Sequence, residues 1–430
     1  MKFYFCFKNT LFIWFFISLF LVSCGSRNNT KKKHAILNKK SQVNNLSKKK
    51  PIVVGANQFS KYFPLLKGKN FAVVANQTSM VDYMEKSAAN SHKTDIKKEA
   101  IHLVDYLKQK FPNQIKTVFA PEHGFRGKAD AGEHIKNGMD NKTKLPIISL
   151  YGNNKKPKSE QLKGLDVVLF DIQDVGVRFY TYISTLHYVM EACAEANISV
   201  IVLDRPNPNA HYVDGPILEK EHQSFVGMHP VPLVYGMTIG EYAQMINGEK
   251  WLKNNLSCDL TVISLQNYTH QTLYDLPIKP SPNLPNAKSI NLYPSLAFFE
   301  GTNVSCGRGT EMQFQIYGSP FLDKKYNTFE FIPHPNFGAK FPKHKDKICY
   351  GKDLRNHKNL NMLNLEWLID AYVSTKDKSK FFNAFFTKLA GTKKLQQQIE
   401  QTYTYREIRK DWMHDLETFK KTRSMYLIYE

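Results

Sequence analysis

Four uninterrupted apolar runs, each broken off by a cluster of polar and turn-forming residues, constrain the fold of this 430-residue chain more than any other feature. Residues 71–75 run into Asn76-Gln77-Thr78, and residues 117–120 into Pro121-Glu122-His123-Gly124. Residues 167–170 run into Asp171-Ile172-Gln173-Asp174-Val175-Gly176, and residues 200–203 into Asp204-Arg205-Pro206-Asn207-Pro208. Strands that are apolar on both faces belong to a parallel sheet covered by helices on either side, whereas a sheet with one wet face alternates. Helical stretches between the runs, among them a lysine-rich one around Lys97 to Lys110, fit the same reading. The expected fold class is therefore α/β with a parallel sheet. Ligands of such sheets sit beyond the carboxyl ends of the strands, so the four polar clusters should converge on one rim.

The N-terminus obeys a different logic. Lys2 and Lys8 flank an apolar run over residues 11–22 that closes in Leu21-Val22-Ser23-Cys24. The run is short for a spanning helix and a small residue precedes the cysteine, so residues 1–23 read as a secretory signal cut ahead of Cys24, whose thiol then carries lipid. An uncleaved anchor helix is the other reading, and it also leaves the protein on a membrane facing outward. Gly25, rather than Asp, follows the cysteine; in a cell with two membranes this favours the outer one, periplasmic side. Residues 24–51 are Lys, Asn and Ser with few large apolar side chains, a composition that cannot fold and serves as a tether. Its lysines supply part of the formal net charge of +21, and beside a lipid they are drawn to anionic head groups. No helix-turn-helix, zinc-finger or RNA-binding aromatic motif accompanies that charge, so nucleic acid is not an expected partner.

Several chemistries lack their signatures. No Gly-rich phosphate or dinucleotide motif follows any strand, so no cofactor is expected. Neither a Gly-x-Ser-x-Gly elbow nor His-Glu-x-x-His occurs, which counts against a serine hydrolase and a zinc peptidase. Cys6 leaves with the signal and Cys24 takes the lipid; Cys193, Cys258, Cys306 and Cys349 are far apart, without metal-type spacing, and read as small buried apolar residues. No metal is expected. Residues 276–285, Leu-Pro-Ile-Lys-Pro-Ser-Pro-Asn-Leu-Pro, resist helix and central strand alike and mark a junction between a first domain, 52–275, and a second, 276–430. Beyond it, Glu300-Gly301-Thr302-Asn303 and Gly307-Arg308-Gly309-Thr310 look like a loop shaped around a ligand, or else a surface turn with a stray arginine. An amphipathic helix is expected around Leu363 to Tyr372.

The rim thus collects the carboxylates Glu122, Asp130, Glu133, Asp171, Asp174 and Glu300, the arginines Arg126, Arg178, Arg205 and Arg308, and the aromatics Phe179, Tyr180 and Tyr182. That mixture suits a sugar carrying a negative charge. Glycoside hydrolysis needs a carboxylic acid to protonate the leaving oxygen and a second group to assist at the anomeric carbon; arginine pairs with a carboxylate and tyrosine packs on sugar rings. Each residue also has a plainer reading. Glu122 serves catalysis or a helix cap and salt bridge; Asp171 and Asp174 serve catalysis or cap a following helix. His123 is a base, an orienting donor or a core histidine, and Tyr180 and Tyr182 are a binding face or ordinary core.

Taken in order, the motifs Asn76-Gln77-Thr78, residues 121–127, Ala129-Asp130-Ala131-Gly132-Glu133, Leu150-Tyr151-Gly152, residues 170–182, residues 204–208, residues 280–285 and the Glu300 and Arg308 loops resemble the exo-β-N-acetylmuramidase family over residues 52 to 430. The resemblance implies a Rossmann-like catalytic domain followed by a smaller auxiliary α/β domain that completes the cleft. It also implies release of N-acetylmuramic acid from the non-reducing end of peptidoglycan fragments, muropeptides or disaccharides, whose lactyl carboxylate matches the arginines. Carried onto this chain, it makes Glu122 the general acid, with His123 beside it and Asp174 or Glu300 as the second carboxylate. It assigns Asn76, Gln77, Arg126, Asp130, Glu133, Asp171, Arg178, Tyr180, Tyr182, Arg205, Asn207, Asn283, Asn303 and Arg308 to substrate binding. Cys306 stands where a small aliphatic residue is expected. The substrate's own N-acetyl group is able to attack the anomeric carbon, so an enzymic nucleophile is not required. Two rivals remain: a non-catalytic muropeptide-binding lipoprotein, against which stands the cost of gathering so many acids, and an envelope esterase or amidase, for which no nucleophile or metal motif is present.

Overall fold

The computed structural model describes residues 50–86, 96–127, 133 and 137–430. The signal segment, Cys24, most of the tether and Asp130 lie outside the described residues. Residues from Pro51 onward form one compact unit.

The central sheet is built from β1 (Phe71–Ala75), β4 (Ile115–Ala120), β5 (Gly138–Met139), β6 (Pro146–Ser149), β7 (Val167–Asp171), β8 (Ser199–Leu203) and β9 (Leu260–Ile263). A hairpin of β2 (Met80–Lys86) and β3 (Ile96–His102) stands apart from it. The spatial order is β5-β6-β4-β1-β7-β8-β9, parallel except where β5 meets β6. Leaving out β5, the strands lie third, second, first, fourth, fifth, sixth in chain order, the doubly wound Rossmann arrangement. The direction of winding reverses between β1 and β7, and a crevice opens there at the carboxyl ends. Both faces of these strands are covered. Ala72 and Val74 of β1, with Val168 and Phe170 of β7, join one core cluster; Phe71 and Val73, with Val167 and Leu169, join the other. The four apolar runs are thus four strands of a two-sided sheet, as their unbroken hydrophobicity requires.

The principal helices are α1 (Phe59–Leu66), α2 (Leu103–Lys110), α3 (Tyr182–Glu195), α4 (Ile239–Gly248), α5 (Ala287–Leu296), α6 (Glu366–Ser374), α7 (Phe385–Ala390) and α8 (Tyr405–Ser424). The expected helix around Lys97 to Lys110 is only half helix. Its first part is strand β3, paired with β2 over seven residues, and helix begins after His102, whose Nδ1 accepts the Val104 amide at 3.2 Å. Lysine-rich composition favours helix, but strand pairing outweighs so weak a preference.

A smaller antiparallel sheet, β10 (Ile316–Ser319), β12 (Cys349–Asp353) and β11 (Phe329–Phe331), lies in the C-terminal part. Beyond a small cluster of Ile316, Phe331 and Cys349 under that sheet, its apolar residues join the core of the first part. Phe298, Leu365, Phe386 and Leu416 belong to the same cluster as Ala72 and Phe170. The proline-rich segment before α5 is not a loose connection either, since its carbonyls are held by the sheet rim. Cys193, Cys258, Cys306 and Cys349 are buried free thiols.

Candidate active site

At the end of β4 the chain turns sharply through His123 (φ 68°) and Gly124 (φ 75°). A histidine in the left-handed region is strained by about 1 to 3 kcal/mol, a cost that persists where surroundings enforce it and that gathers at functional sites. The turn leaves His123 buried and Glu122 half-buried at the mouth of the crevice. Thr181, just ahead of α3, donates from Oγ1 to Glu122 Oε2 at 2.8 Å. Tyr151, beyond the end of β6, lies beside the same carboxylate; burial and then the Glu122 charge hold its phenol protonated.

These residues form one wall of a cavity of about 270 Å³. Tyr180, Tyr182 and Phe179 continue it, and Ser281, Asn283, Leu284, Tyr293, Phe314, Phe385 and Leu389 close the far side together with Glu300 and Arg308. The far side is fastened to the sheet through the proline-rich segment. Tyr180 donates to the Pro280 carbonyl at 2.8 Å, Tyr182 to the same carbonyl at 3.3 Å, and Asn76 Nδ2 donates to the Tyr182 hydroxyl at 2.8 Å. Gln77 Nε2 donates to the carbonyls of Lys279 and Pro280 at 3.2 and 3.1 Å. Asn76 and Gln77 therefore shape the wall from behind.

Glu300 and Arg308 pair at 2.8 Å. Burial disfavours the Arg308 charge, and Glu300 more than offsets it, leaving the guanidinium firmly protonated. Arg308 Nη2 and Asn283 Nδ2 both donate to the Gly338 carbonyl, at 3.3 and 2.7 Å. Arg308 Nε and Asn283 Oδ1 are buried without a protein partner. Burial, then Glu300, then Glu122 keep the Tyr293 phenol protonated, so both carboxylates act on the same ring. Lys343 pins the loop behind Glu300: its ammonium donates to the carbonyls of Phe299 (2.9 Å), Val304 (3.1 Å) and Thr302, and burial lowers its pKa.

Other residues expected at the site lie off the cavity wall. Asp171 and Arg205 form a buried bidentate pair, 2.6 and 2.9 Å. Asp174 is fully buried; its Oδ2 accepts from the Gly176 amide at 2.7 Å and from the Tyr235 hydroxyl, and burial raises its pKa to about 6. Arg178 has no exposed surface and donates to four backbone carbonyls, of Pro216 (2.6 Å), Val231 (2.8 Å), Leu389 (3.2 Å) and Ala390 (2.6 Å). Arg126 bridges Asp105 and Asp140, both at 2.8 Å. Asn207 donates to Met237 O at 2.8 Å, and Glu133 meets Lys340 at 2.8 Å. Asn303 borders a different depression, beside Phe321 and Tyr350. Tyr151 and Thr181 stand in the family motifs without an assigned role, and Tyr293, Phe385 and Lys343 stand in none of them. Tyr151 and Thr181 carried a signal, since one follows a strand end and the other opens a helix on the rim; the rest lie in the C-terminal part, where no pattern announces them.

The family profile described as exo-beta-N-acetylmuramidase NamZ, N-terminal, matches residues 72–288, and its C-terminal counterpart matches residues 291–429. The peptidoglycan beta-N-acetylmuramidase NamZ of Bacillus subtilis (strain 168) is 36% identical over 409 residues, covering 90% of this chain and 93% of that protein. Two crystal structures of DUF1343 family proteins from Bacteroides fragilis NCTC 9343 share the fold. One, 43% identical, superimposes with a TM-score of 0.77 over 89% of this chain and 99% of its own; the other, 26% identical, with 0.70 over 88% and 99%.

Proposed function

Because the chain belongs to the exo-β-N-acetylmuramidase NamZ family, we infer that its cavity binds and hydrolyses the terminal, non-reducing N-acetylmuramic acid residue of peptidoglycan fragments. The protein is a glycoside hydrolase. The observation that carries the local assignment is that the cavity wall presents two carboxylates among the described residues, Glu122 and Glu300, both close enough to act on the Tyr293 ring. Glu122, oriented by Thr181, protonates the glycosidic oxygen. Glu300 faces the positive charge that builds at the anomeric carbon, whether the attacking group is water, the carboxylate itself or the substrate's N-acetyl oxygen. Asp174, enclosed by Tyr235 and Gly176, is the weaker candidate for that role. Arg308, on the cavity wall and firmly protonated, is suited to the lactyl carboxylate.

The test is incubation of the chain from Pro51 with N-acetylmuramyl-β-1,4-N-acetylglucosamine, followed by mass spectrometry, beside Glu122→Gln. Free N-acetylmuramic acid is expected from the wild type, and at least a hundredfold less, to order of magnitude, from the variant. Binding without release by either protein would replace the hydrolase with a muropeptide-binding lipoprotein.

The Leu21-Val22-Ser23-Cys24 sequence closing the signal supports a further proposal, that Cys24 carries a lipid and holds the enzyme at the periplasmic side of the outer membrane. Cys24→Ala should move the protein from the membrane to the soluble fraction; a variant that stays membrane-bound and still incorporates labelled palmitate would overturn this.

A further inference from the structure

A second cavity, about 370 Å³, lies in the C-terminal part and shares no lining residue with the catalytic one. Asn303, Phe321, Tyr350 and Lys376 are among the residues around it. Its walls come from chain segments fastened to one another. The Asn303 amide donates to the Phe381 carbonyl at 2.8 Å, and the Asn303 carbonyl accepts from Ser319 Oγ at 3.0 Å and His344 Nε2 at 2.6 Å. The Asp323 amide donates to Ser374 O at 3.1 Å, Leu322 bridges to Thr375, and the His344 ring packs edge-on against Phe321. The cavity is therefore a fixed feature of the fold.

Three of its groups are left incomplete. Both main-chain groups of Asn303 are satisfied, yet its side-chain Oδ1 is shut off from solvent without a donor. A buried acceptor in that state is costly, and a hydroxyl or amide N–H entering the cavity would complete it. Phe321 is 50% exposed, leaving part of its ring in water. Of the lysines around the cavity, Lys324 pairs with Glu330 and Lys380 with Asp377, each at 3.0 Å. Asp323, the other acid of the wall, accepts from the Lys325 amide at 2.9 Å. Lys376 is exposed and has no acid partner among the described residues, so its charge is available.

We propose that this cavity is a second binding site, for an N-acetylmuramic acid unit, separate from the cavity that cuts the glycan. Such a unit brings an acetamido N–H and hydroxyls for Asn303 Oδ1, an apolar pyranose face for Phe321 and Tyr350, and a lactyl carboxylate for Lys376. The choice of sugar rests on the muramidase reading; the three incomplete groups do not. Peptidoglycan repeats this unit along each strand, so a strand offers many grips besides the one terminus that is cut. Glu300 and Asn303 place one short loop on both cavities.

Phe321 and Lys376 are exposed and lie outside the catalytic machinery, so their variants should fold and turn over the disaccharide at the wild-type rate. In Phe321→Trp the indole keeps the stacking face and reports on it. Its fluorescence should change on titration with N-acetylmuramic acid, and N-acetylglucosamine, which lacks the carboxylate, should bind about threefold more weakly. Lys376→Gln in the same background should erase that difference. Cosedimentation with intact peptidoglycan sacculi tells the two sources of the sugar apart. An affinity about tenfold lower for Phe321→Ala assigns the cavity to units within a strand, and undiminished retention with the same fluorescence response assigns it to the released sugar. No fluorescence response, one that treats the two sugars alike, or a fall in disaccharide turnover would overturn the site. Failure of the wild type to release N-acetylmuramic acid from the disaccharide would instead remove the muramidase reading, and with it the choice of sugar.

Discussion

Asp174 and Glu122 look alike in the sequence, each an acid in a polar cluster closing an apolar run, and the structure separates them by burial. Glu122 reaches the cavity with the Thr181 hydroxyl donating to it and Tyr151 beside it, whereas Asp174 is enclosed and its pKa rises to about 6. A carboxyl whose folded-state pKa exceeds its unfolded value favours the fold while protonated; that contribution is complete below the unfolded value and is lost as pH climbs through about 6. Asp174→Asn keeps an oxygen for Tyr235 and Gly176 and removes the ionisation. Its stability relative to wild type should therefore improve between about pH 4 and about pH 7, by on the order of 3 kcal/mol at most. Thermal unfolding across that range reads the shift, and kcat should be retained. A pH-independent difference, or lost turnover with an unchanged melting temperature, would return Asp174 to the chemistry. The residue types of the site were legible because catalysis restricts them, and their depth was not, because depth depends on partners far along the chain.

Elements show the same division. Strand identity follows from local hydrophobicity, so the parallel sheet could be read directly, while β3 could not, since its structure comes from pairing with β2 across the hairpin. Arg178 is the sharpest case. It follows the Asp174 cluster and looks like an anion binder, yet its carbonyl partners lie as far as 212 residues away. Two of them are the last carbonyls of α7, where a helix dipole welcomes a cation. Burial lowers the guanidinium only to about 9, so it stays charged at neutral pH. The contact ties the turn carrying Phe179–Thr181, just ahead of α3, to the helix carrying Phe385 and Leu389, all of which line the cavity. Arg178→Lys, with one donor centre in place of a fork, should cost about 3 kcal/mol by stranding carbonyls. Gly391→Ala, at φ 75° with its Cβ 2.6 Å from Arg178 Nη2, should act on the same contact. Urea unfolding checks both; a variant as stable as wild type would mean that the carbonyls find other donors.

On the scale of the whole molecule, the C-terminal part closes back on the sheet. After α8 the chain crosses behind the rim of β8. Tyr429 donates to Asp204 at 2.6 Å and accepts from the Leu265 amide at 2.7 Å, the Ile428 amide donates to Glu241 at 2.8 Å, and the His270 amide donates to the Glu430 carbonyl at 2.8 Å. Asp204 and Glu241 are wholly buried acids, and burial raises Asp204 to about 7 despite its donors. Deleting residues 426–430 removes donors from both at once and leaves buried carboxylates short of partners, a loss of about 3 to 5 kcal/mol. The strap is remote from the cavity-lining residues, so kcat/KM well below the melting temperature should hold while the melting temperature falls. Because Phe298, Leu365 and Leu416 share a core with Ala72 and Phe170, calorimetry should show one transition before and after truncation, displaced rather than divided. Two resolved transitions in the truncated protein would mean that the strap, and not the shared core, couples the sheet domain to the part that completes its cleft.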